Sequence, residues 1–351
     1  MVEHSEDELP GLDLARLQSY LRRERPELLC GGLTAKLIPG GRSNLTYLLD
    51  DGTHRWVLRR PPLGHVLATA HDMSREHRVI SALSPTEVPV PKTHLRCSDT
   101  DVIGAPFYVM DFVDGMAIRS RKECGTLSES QRHGIALRLV DVLATLHTVA
   151  PEDVGLGDFG RPQGFLERQV RRWNKQLDAS RSRELPGIDE LHDWLAEHLP
   201  DSANAAIVHG DYRLDNVLVT VEPLGISAVL DWEMATQGDP LTDLGLMYVY
   251  WRGTSSGDDP DDPITEGVTT MPGFPPWSEL AARYAERTGF DIDALDWYVA
   301  FGYFKLAVVL EGIYCRFIQG ATVGTGFERL GEWVPPLIEK GLAARGASEL
   351  R

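Results

Sequence analysis

Three oxygen-bearing side chains, Asp211, Asn216 and Asp231, stand in two nearby stretches, Val208-His209-Gly210-Asp211-Tyr212-Arg213-Leu214-Asp215-Asn216-Val217-Leu218-Val219 and Ala228-Val229-Leu230-Asp231-Trp232-Glu233. Amide and carboxylate oxygens are hard ligands that suit magnesium, and a carboxylate left off the metal can take the proton of a hydroxyl. Both stretches contain apolar, strand-like runs, which would deliver the three side chains to loop positions where they could converge on one metal-bound phosphate. The chemistry this permits is phosphoryl transfer, which needs held phosphates, neutralised charge and an oriented acceptor more than covalent work.

The order and spacing, five residues and then fifteen, resemble the protein-kinase pattern of a catalytic-loop Asp, a metal-binding Asn and a strand-end metal-binding Asp. With His-Gly-Asp in place of His-Arg-Asp, the segment resembles the aminoglycoside phosphotransferase and choline kinase family of small-molecule kinases. The likeness is strongest to the branch that forms the kinase part of some acyl-CoA dehydrogenase fusions, and it covers nearly the whole chain. It implies an α+β, bilobal protein-kinase-like fold: a nucleotide-binding lobe with a mostly antiparallel sheet over residues 1–110, a hinge at 111–115, and a helical lobe over 116–351 carrying the catalytic loop and acceptor site. It also implies ATP or GTP as donor, Mg2+ as cofactor, and a small-molecule alcohol as acceptor: an aminoglycoside-like sugar, a choline-like alcohol or a hydroxyacyl compound.

On that resemblance Asp211 is the catalytic base, and Asn216 and Asp231 are the metal ligands. Arg213 falls where protein kinases place a lysine near the transferred phosphate, and is read as a second catalytic residue that offsets charge growing on the γ-phosphate. His209 orients the loop by hydrogen bonding. Glu233 either touches metal-bound water or forms a structural salt bridge. In Gly238-Asp239-Pro240-Leu241-Thr242-Asp243-Leu244-Gly245, Asp243 braces the catalytic loop by accepting backbone hydrogen bonds.

The elements that must position these groups begin with a short amphipathic helix over 12–23 and strands over 33–39, 44–50 and 53–60. The Asp50-Asp51-Gly52 connection is a hairpin signal, because Gly accepts positive φ. The earlier connection, Gly40-Gly41-Arg42-Ser43-Asn44, could bring backbone amides close to a polyphosphate, so Gly40, Gly41, Ser43 and Asn44 are nucleotide-binding candidates. Taken alone such a tip is only a turn.

On the third strand, alternation puts Val57 and Arg59 on one face. In the kinase pattern they roof the adenine and hold the α and β phosphates, although many relatives carry Lys where Arg59 stands. An exposed edge-strand arginine is the alternative. Glu76, seventeen residues on within a helix over 73–83, matches the acidic partner of that basic residue; otherwise it is an exposed helix glutamate. Val88-Pro89-Val90-Pro91 reads as a connector. A fourth strand over 107–110 runs into a hinge at which backbone groups of Met110, Asp111 and Val113 would pair with the purine.

Helices are expected over 128–149, 164–180, 188–198, 278–288, 292–319 and 326–344, with a long polar loop over 255–276. His147 reads as a core histidine, and Trp173, Tyr250, Trp251 and Tyr314 as lining for an apolar acceptor pocket or simply as core. A net charge of −17 over 351 residues argues against a duplex nucleic-acid partner. Cys30, Cys97, Cys124 and Cys315 are scattered, which suggests buried reduced thiols. The polar amino terminus and the lack of an apolar stretch of spanning length suggest a cytoplasmic protein without a membrane partner. The oligomeric state is open. A nucleotide-binding pseudokinase is the competing reading, although the base and both metal ligands are retained; absent Asp-Phe-Gly and Ala-Pro-Glu motifs disfavour a protein kinase.

Overall fold

A computed structural model of the chain describes residues 9–38, 44–63, 72–201, 204–253, 262, 264–320, 327, 329–347 and 350. The chain divides into two compact units, Met1–Gly115 with Ser227–Glu233, and Met116–Ile226 with Met234–Arg351. The segment Ser227–Glu233 thus groups with the sheet-bearing unit, whereas the sequence reading leaves it in the helical part.

In the first unit, helix α1 (Leu14–Glu24) starts at Asp13, whose side chain accepts the Arg16 amide, and buries Leu17 and Leu21 one turn apart. Strands β1 (Thr34–Leu37), β2 (Leu45–Asp50) and β3 (Arg55–Arg60) follow. Gly52 turns the β2–β3 hairpin at φ +87°, and Asp51 Oδ1 accepts the amides of Thr53 and His54. Helix α2 (Met73–Leu83) is capped by Asp72 and buries Met73, Glu76, Val79, Ile80 and Leu83, the spacing of one helix face. Strands β4 (Thr93–Cys97) and β5 (Phe107–Asp111) complete, among the described residues, a five-stranded antiparallel sheet in the order β1-β2-β3-β5-β4.

Strand β4 is a departure from the sequence reading. It follows the Val-Pro-Val-Pro connector, sits at the sheet edge, and slips register between Thr93 and Leu95, so its pattern is weak. Strand β3 lies inside the sheet and is buried from Trp56 to Arg60, which removes the edge-strand reading of Arg59. Tyr47, Leu49, Leu58, Phe107 and Val109 close the core against Leu17 and Leu21 of α1.

The second unit contains α3 (Arg121–Cys124), α4 (Glu129–Thr148), α5 (Phe165–Ser180) and α6 (Ile188–Glu197). Strands β6 (Ala206–Val208), β7 (Val217–Val221) and β8 (Leu224–Val229), whose residues from Ser227 on are counted with the first unit, follow, then β9 (Thr236–Gly238), which pairs with β6. Helices α7 (Leu241–Arg252), α8 (Trp277–Thr288), α9 (Leu295–Ile318) and α10 (Leu330–Ala343) close the chain. Ser128 and Gln131 form a capping box that starts α4.

Helix α9 packs against α5, α6, α7 and α10. By length and composition its 24 residues could cross a bilayer, contrary to the expectation that no stretch would; 78% of its apolar window is buried inside the fold, as befits a central helix. Cys97, Cys124 and Cys315 are buried thiols, but Cys30 is exposed in the turn after α1. An antiparallel-sheet unit and a mainly helical unit make this the expected α+β, bilobal protein-kinase-like fold.

Candidate active site

In the first unit, Arg59 of β3 is buried. Its Nη1 lies 2.9 Å from Glu76 Oε1 on α2, and its Nη2 lies 3.0 Å from Asp231 Oδ1. Glu76 is 1% exposed, so it is no surface helix residue. Burial works against the Arg59 charge, but Glu76, Tyr108 and Asp231 more than restore it and hold the guanidinium pKa above its ordinary value. Asp231 adopts φ +65°, a left-handed backbone that only a few per cent of non-glycine residues take. The neighbouring backbone is fixed: the Val229 amide donates to the Pro89 carbonyl at 2.8 Å, and the Trp232 indole N–H to the Val229 carbonyl at 3.0 Å.

Asn44 Nδ2 donates to Glu233 Oε2 at 3.3 Å, so Glu233 meets an amide within this unit. Gly40, Gly41 and Ser43 lie outside the described residues. Val57 and Met110 face one another across β3 and β5, both buried. Asp111 ends β5 with its amide donating to the Lys92 carbonyl, and Phe112 donates to the Arg55 carbonyl. Val113 is half-buried.

In the second unit, β6 delivers His209-Gly210-Asp211. Gly210 has φ +84°, and a Cβ there would meet Met234 Cβ and its carbonyl oxygen at 2.8 Å, so glycine is required twice over. Asp243, buried at the start of α7, accepts the amides of His209 at 2.6 Å and Gly210 at 2.7 Å. Asp243 is held in turn by the His147 ring at 3.2 Å, and that ring bonds Tyr284 Oη at 2.7 Å. The Asp211 amide donates to His209 Nδ1 at 3.2 Å. Thus Asp243, His147 and His209 have the bracing and core roles that their positions suggested.

The Asp211 carboxylate accepts Tyr250 Oη at 2.7 Å and Asn216 Nδ2 at 3.0 Å. Burial alone would raise its pKa. Arg213, Lys305, the Tyr250 hydroxyl and His209 overcome that and hold it below the usual carboxylate value, so it is ionised near neutrality. Burial and the Asp211 charge push the Tyr250 phenol far above its ordinary value and keep it a donor. Asn216 also gives Nδ2 to the Asp211 carbonyl at 2.8 Å, which turns its amide oxygen away from these bonds.

Arg213 pairs with Asp215 at 2.7 Å, lies 3.8 Å from Asp211, and sits over the Tyr250 ring at 4.8 Å. Lys305 of α9, which the sequence reading missed, donates to the Gly210 carbonyl at 2.6 Å. The signal was available: a lysine inside Tyr303-Phe304-Lys305-Leu306-Ala307 needs a polar partner once the helix is buried.

Arg213 and Tyr250 also line a cleft of about 430 Å³, counting its open mouth, with Ile118, Leu139, Leu214, Met247, Trp251, Ile264 and Val268. Its polar groups are Arg119, Arg213, Asp215, Tyr250, Thr265 and Thr269. Of the four aromatics suggested for such a pocket, Tyr250 and Trp251 line it. Trp173 is buried instead with Lys305 near its ring, and Tyr314 receives Arg183 on its face.

Over residues 34–298 the sequence matches the phosphotransferase enzyme family (APH), and the chain belongs to it. It is 36% identical over 338 residues to acyl-CoA dehydrogenase family member 11 of Rattus norvegicus, covering 94% of this chain and 43% of that protein. To family member 10 of Mus musculus it is 34% identical over 328 residues, or 92% of this chain and 30% of that one. The chain therefore spans less than half the length of these curated relatives. A solved Ralstonia eutropha structure, named only provisionally as an aminoglycoside phosphotransferase, superposes with a TM-score of 0.80 at 34% identity, covering 95% of this chain and 98% of that one. The GDP complex of aminoglycoside 2'-phosphotransferase-IIIa superposes at 0.59 with 15% identity, over 95% and 100% of the two chains, a likeness of fold alone.

Proposed function

We propose that this phosphotransferase moves the γ-phosphate of ATP or GTP to the hydroxyl of a small molecule, with Asp211 as base. The observation that carries this reading is the Asp211 carboxylate, kept ionised by Arg213 and Lys305 and aimed by the Tyr250 and Asn216 bonds. Such a group accepts a hydrogen bond from the acceptor alcohol and takes its proton as the alcohol oxygen bonds to the γ-phosphorus, while the bond from that phosphorus to the β–γ bridging oxygen breaks and the nucleoside diphosphate leaves. Arg213, beside Asp211 on the cleft wall, offsets charge on the phosphate in flight.

Asn216 offers an amide oxygen and Asp231 a carboxylate oxygen not used by Arg59, and hard oxygen donors of this kind fit magnesium. Held by these two residues, magnesium would neutralise part of the charge on the nucleotide phosphates. Arg59, aimed by Glu76, is the group we assign to the α and β phosphates. Val57, Met110, Asp111 and Val113 are assigned to the base of the nucleotide, and Asn44 with the Gly40, Gly41 and Ser43 turn to its phosphates. The GDP held by the fold neighbour is the reason to try both purine donors.

The cleft bears on the acceptor. Among the described residues its walls are largely apolar, and the one carboxylate on them, Asp215, is spent on Arg213. That composition suits a hydroxyl carried on a hydrocarbon body, such as a hydroxyacyl compound, better than a polycationic aminoglycoside, which would need several unpaired acids.

The test is a coupled nucleotide-turnover screen with Mg–ATP and Mg–GTP over pooled hydroxyacyl compounds, choline-like alcohols and aminoglycosides. Turnover that requires an apolar hydroxylated acceptor is expected; turnover only with aminoglycosides would reverse the acceptor assignment. A second reading, a nucleotide-binding module without turnover, is favoured by one observation: Arg59 spends its second nitrogen on Asp231. Tight magnesium-nucleotide binding with no turnover over all pools would support it.

A further inference from the structure

Both peptides that flank Gly210, next to the proposed base, are gripped. Asp243 takes the N–H of the first at 2.7 Å; in the second, Lys305 gives its ammonium to the Gly210 carbonyl at 2.6 Å and the Asp211 amide donates to His209 Nδ1 at 3.2 Å. Gly210 is in the left-handed region, where the backbone has no side chain to steer it, so the Lys305 and His209 bonds set the plane of the peptide that leads into Asp211.

Lys305 reaches this point from the middle of α9, whose neighbours Tyr303, Phe304, Leu306 and Ala307 are all buried. Burial lowers its pKa, while Asp211 and Asp243 act in the opposite sense and the exposed Arg172 adds to the lowering. The Trp173 ring of α5 stands 5.5 Å from Nζ. Lys305 is half-buried; taking an ammonium even part of the way out of water costs, and a methionine of similar length would fill the same space with no such cost. A lysine that served only packing would therefore be a poor choice for this position.

We propose that Lys305 is a positioning residue for phosphoryl transfer: by holding the Gly210 carbonyl it fixes the aim of the Asp211 carboxylate and sets a positive charge behind the catalytic loop. The kinetic half of this rests on the phosphotransfer reading; the structural half does not. The opposing grip on that peptide is His209 Nδ1, which takes the Asp211 amide at 3.2 Å; Asp243 holds only the peptide before it. Without Lys305 the peptide can tilt about the one bond that remains, and a base swung off its line loses rate without losing nucleotide.

The experiment compares wild type, Lys305→Met and Lys305→Gln by amide hydrogen exchange over residues 207–216, by thermal unfolding, and by hydrolysis of Mg–ATP with water as acceptor. In Lys305→Met, exchange over 207–216 is expected to quicken while the unfolding temperature holds or rises. The kcat should fall about tenfold or more, as for a catalytic group slightly out of place, with KM for Mg–ATP within about twofold. If the Met variant does not fold, Lys305→Gln carries the same comparison. Unchanged exchange in a folded variant, or unchanged kcat, overturns the proposal. If the wild type hydrolyses no nucleotide and transfers to no acceptor, the proposed function fails and the exchange comparison alone decides the role of Lys305.

Discussion

Arg59 Nη2 lies 3.0 Å from Asp231 Oδ1, while the other terminal nitrogen of the same guanidinium lies 2.9 Å from Glu76 Oε1. One side chain thus ties α2 to the residue read as a metal ligand. A lysine's single ammonium is a point charge and could not fork between the two acids in the same way.

Arg59→Met leaves the buried Glu76 and the half-buried Asp231 without their cation. The expected cost is about 3–5 kcal/mol of folding stability, the penalty for removing one member of a buried ion pair, read by urea denaturation. Arg59→Lys keeps the charge but drops one leg, and should weaken Mg–ATP binding about tenfold, the worth of one charge-assisted hydrogen bond, as measured by calorimetry. Wild-type stability in the first and wild-type affinity in the second would remove the role.

Asp243 gives the stability a defined pH dependence. Burial pushes its carboxyl up, but His147 and the loop amides hold it below the ordinary carboxylate range. A folded pKa below the unfolded value of about 3.9 means the stabilisation is complete above that value and is lost as pH falls through the lower, folded one. Asp243→Asn cannot accept both amides as an anion, so it should cost about 2–3 kcal/mol near neutrality and flatten the acid side of a stability–pH curve. An unchanged curve would contradict this.

Tyr250→Phe removes the 2.7 Å bond to Asp211. Losing a hydrogen bond to a charged group is worth about 1.5–3 kcal/mol, so turnover should fall about tenfold or more. In the wild type the acid limb of the rate, set by the proposed base Asp211, should lie below the ordinary carboxylate range. In the variant that acid limb should move to higher pH, because one of the groups depressing the Asp211 pKa is gone. A limb that does not move would assign the acid-side loss to another group.

Filling the cleft should separate acceptor from nucleotide. Ile264→Trp adds bulk to the lining, so KM for the acceptor should rise about tenfold, the scale of one or two misfitted methylenes, with KM for Mg–ATP unchanged. Equal effects on both substrates would place the acceptor elsewhere.

What could be read from the sequence was mostly local. The path from β6 through His209, Gly210 and Asp211 to Asn216 is one strand and one turn, so type and spacing sufficed. The Arg59–Glu76 contact followed from a strand and a helix joined in a known order. What escaped was edge or long-range. Strand β4 lacks clear alternation because it is a bulged edge, and the exposure of Cys30 depends on how the turn after α1 lies. Lys305 meets Gly210 across 95 residues of sequence, a contact only tertiary packing creates. The Tyr250 hydroxyl on Asp211 was hidden likewise, since an aromatic on α7 reads as core until its Oη is placed.

The most direct measurement follows transfer of the labelled γ-phosphate from Mg–ATP to an acceptor in a single turnover, comparing wild type with Asp211→Asn. With Asp211 as the base, the chemical step should slow in the variant by about 10²–10⁴-fold, the contribution of a positioned general base, while Mg–ATP dissociation constants agree within about threefold. A variant that transfers phosphate at the wild-type rate would contradict that role.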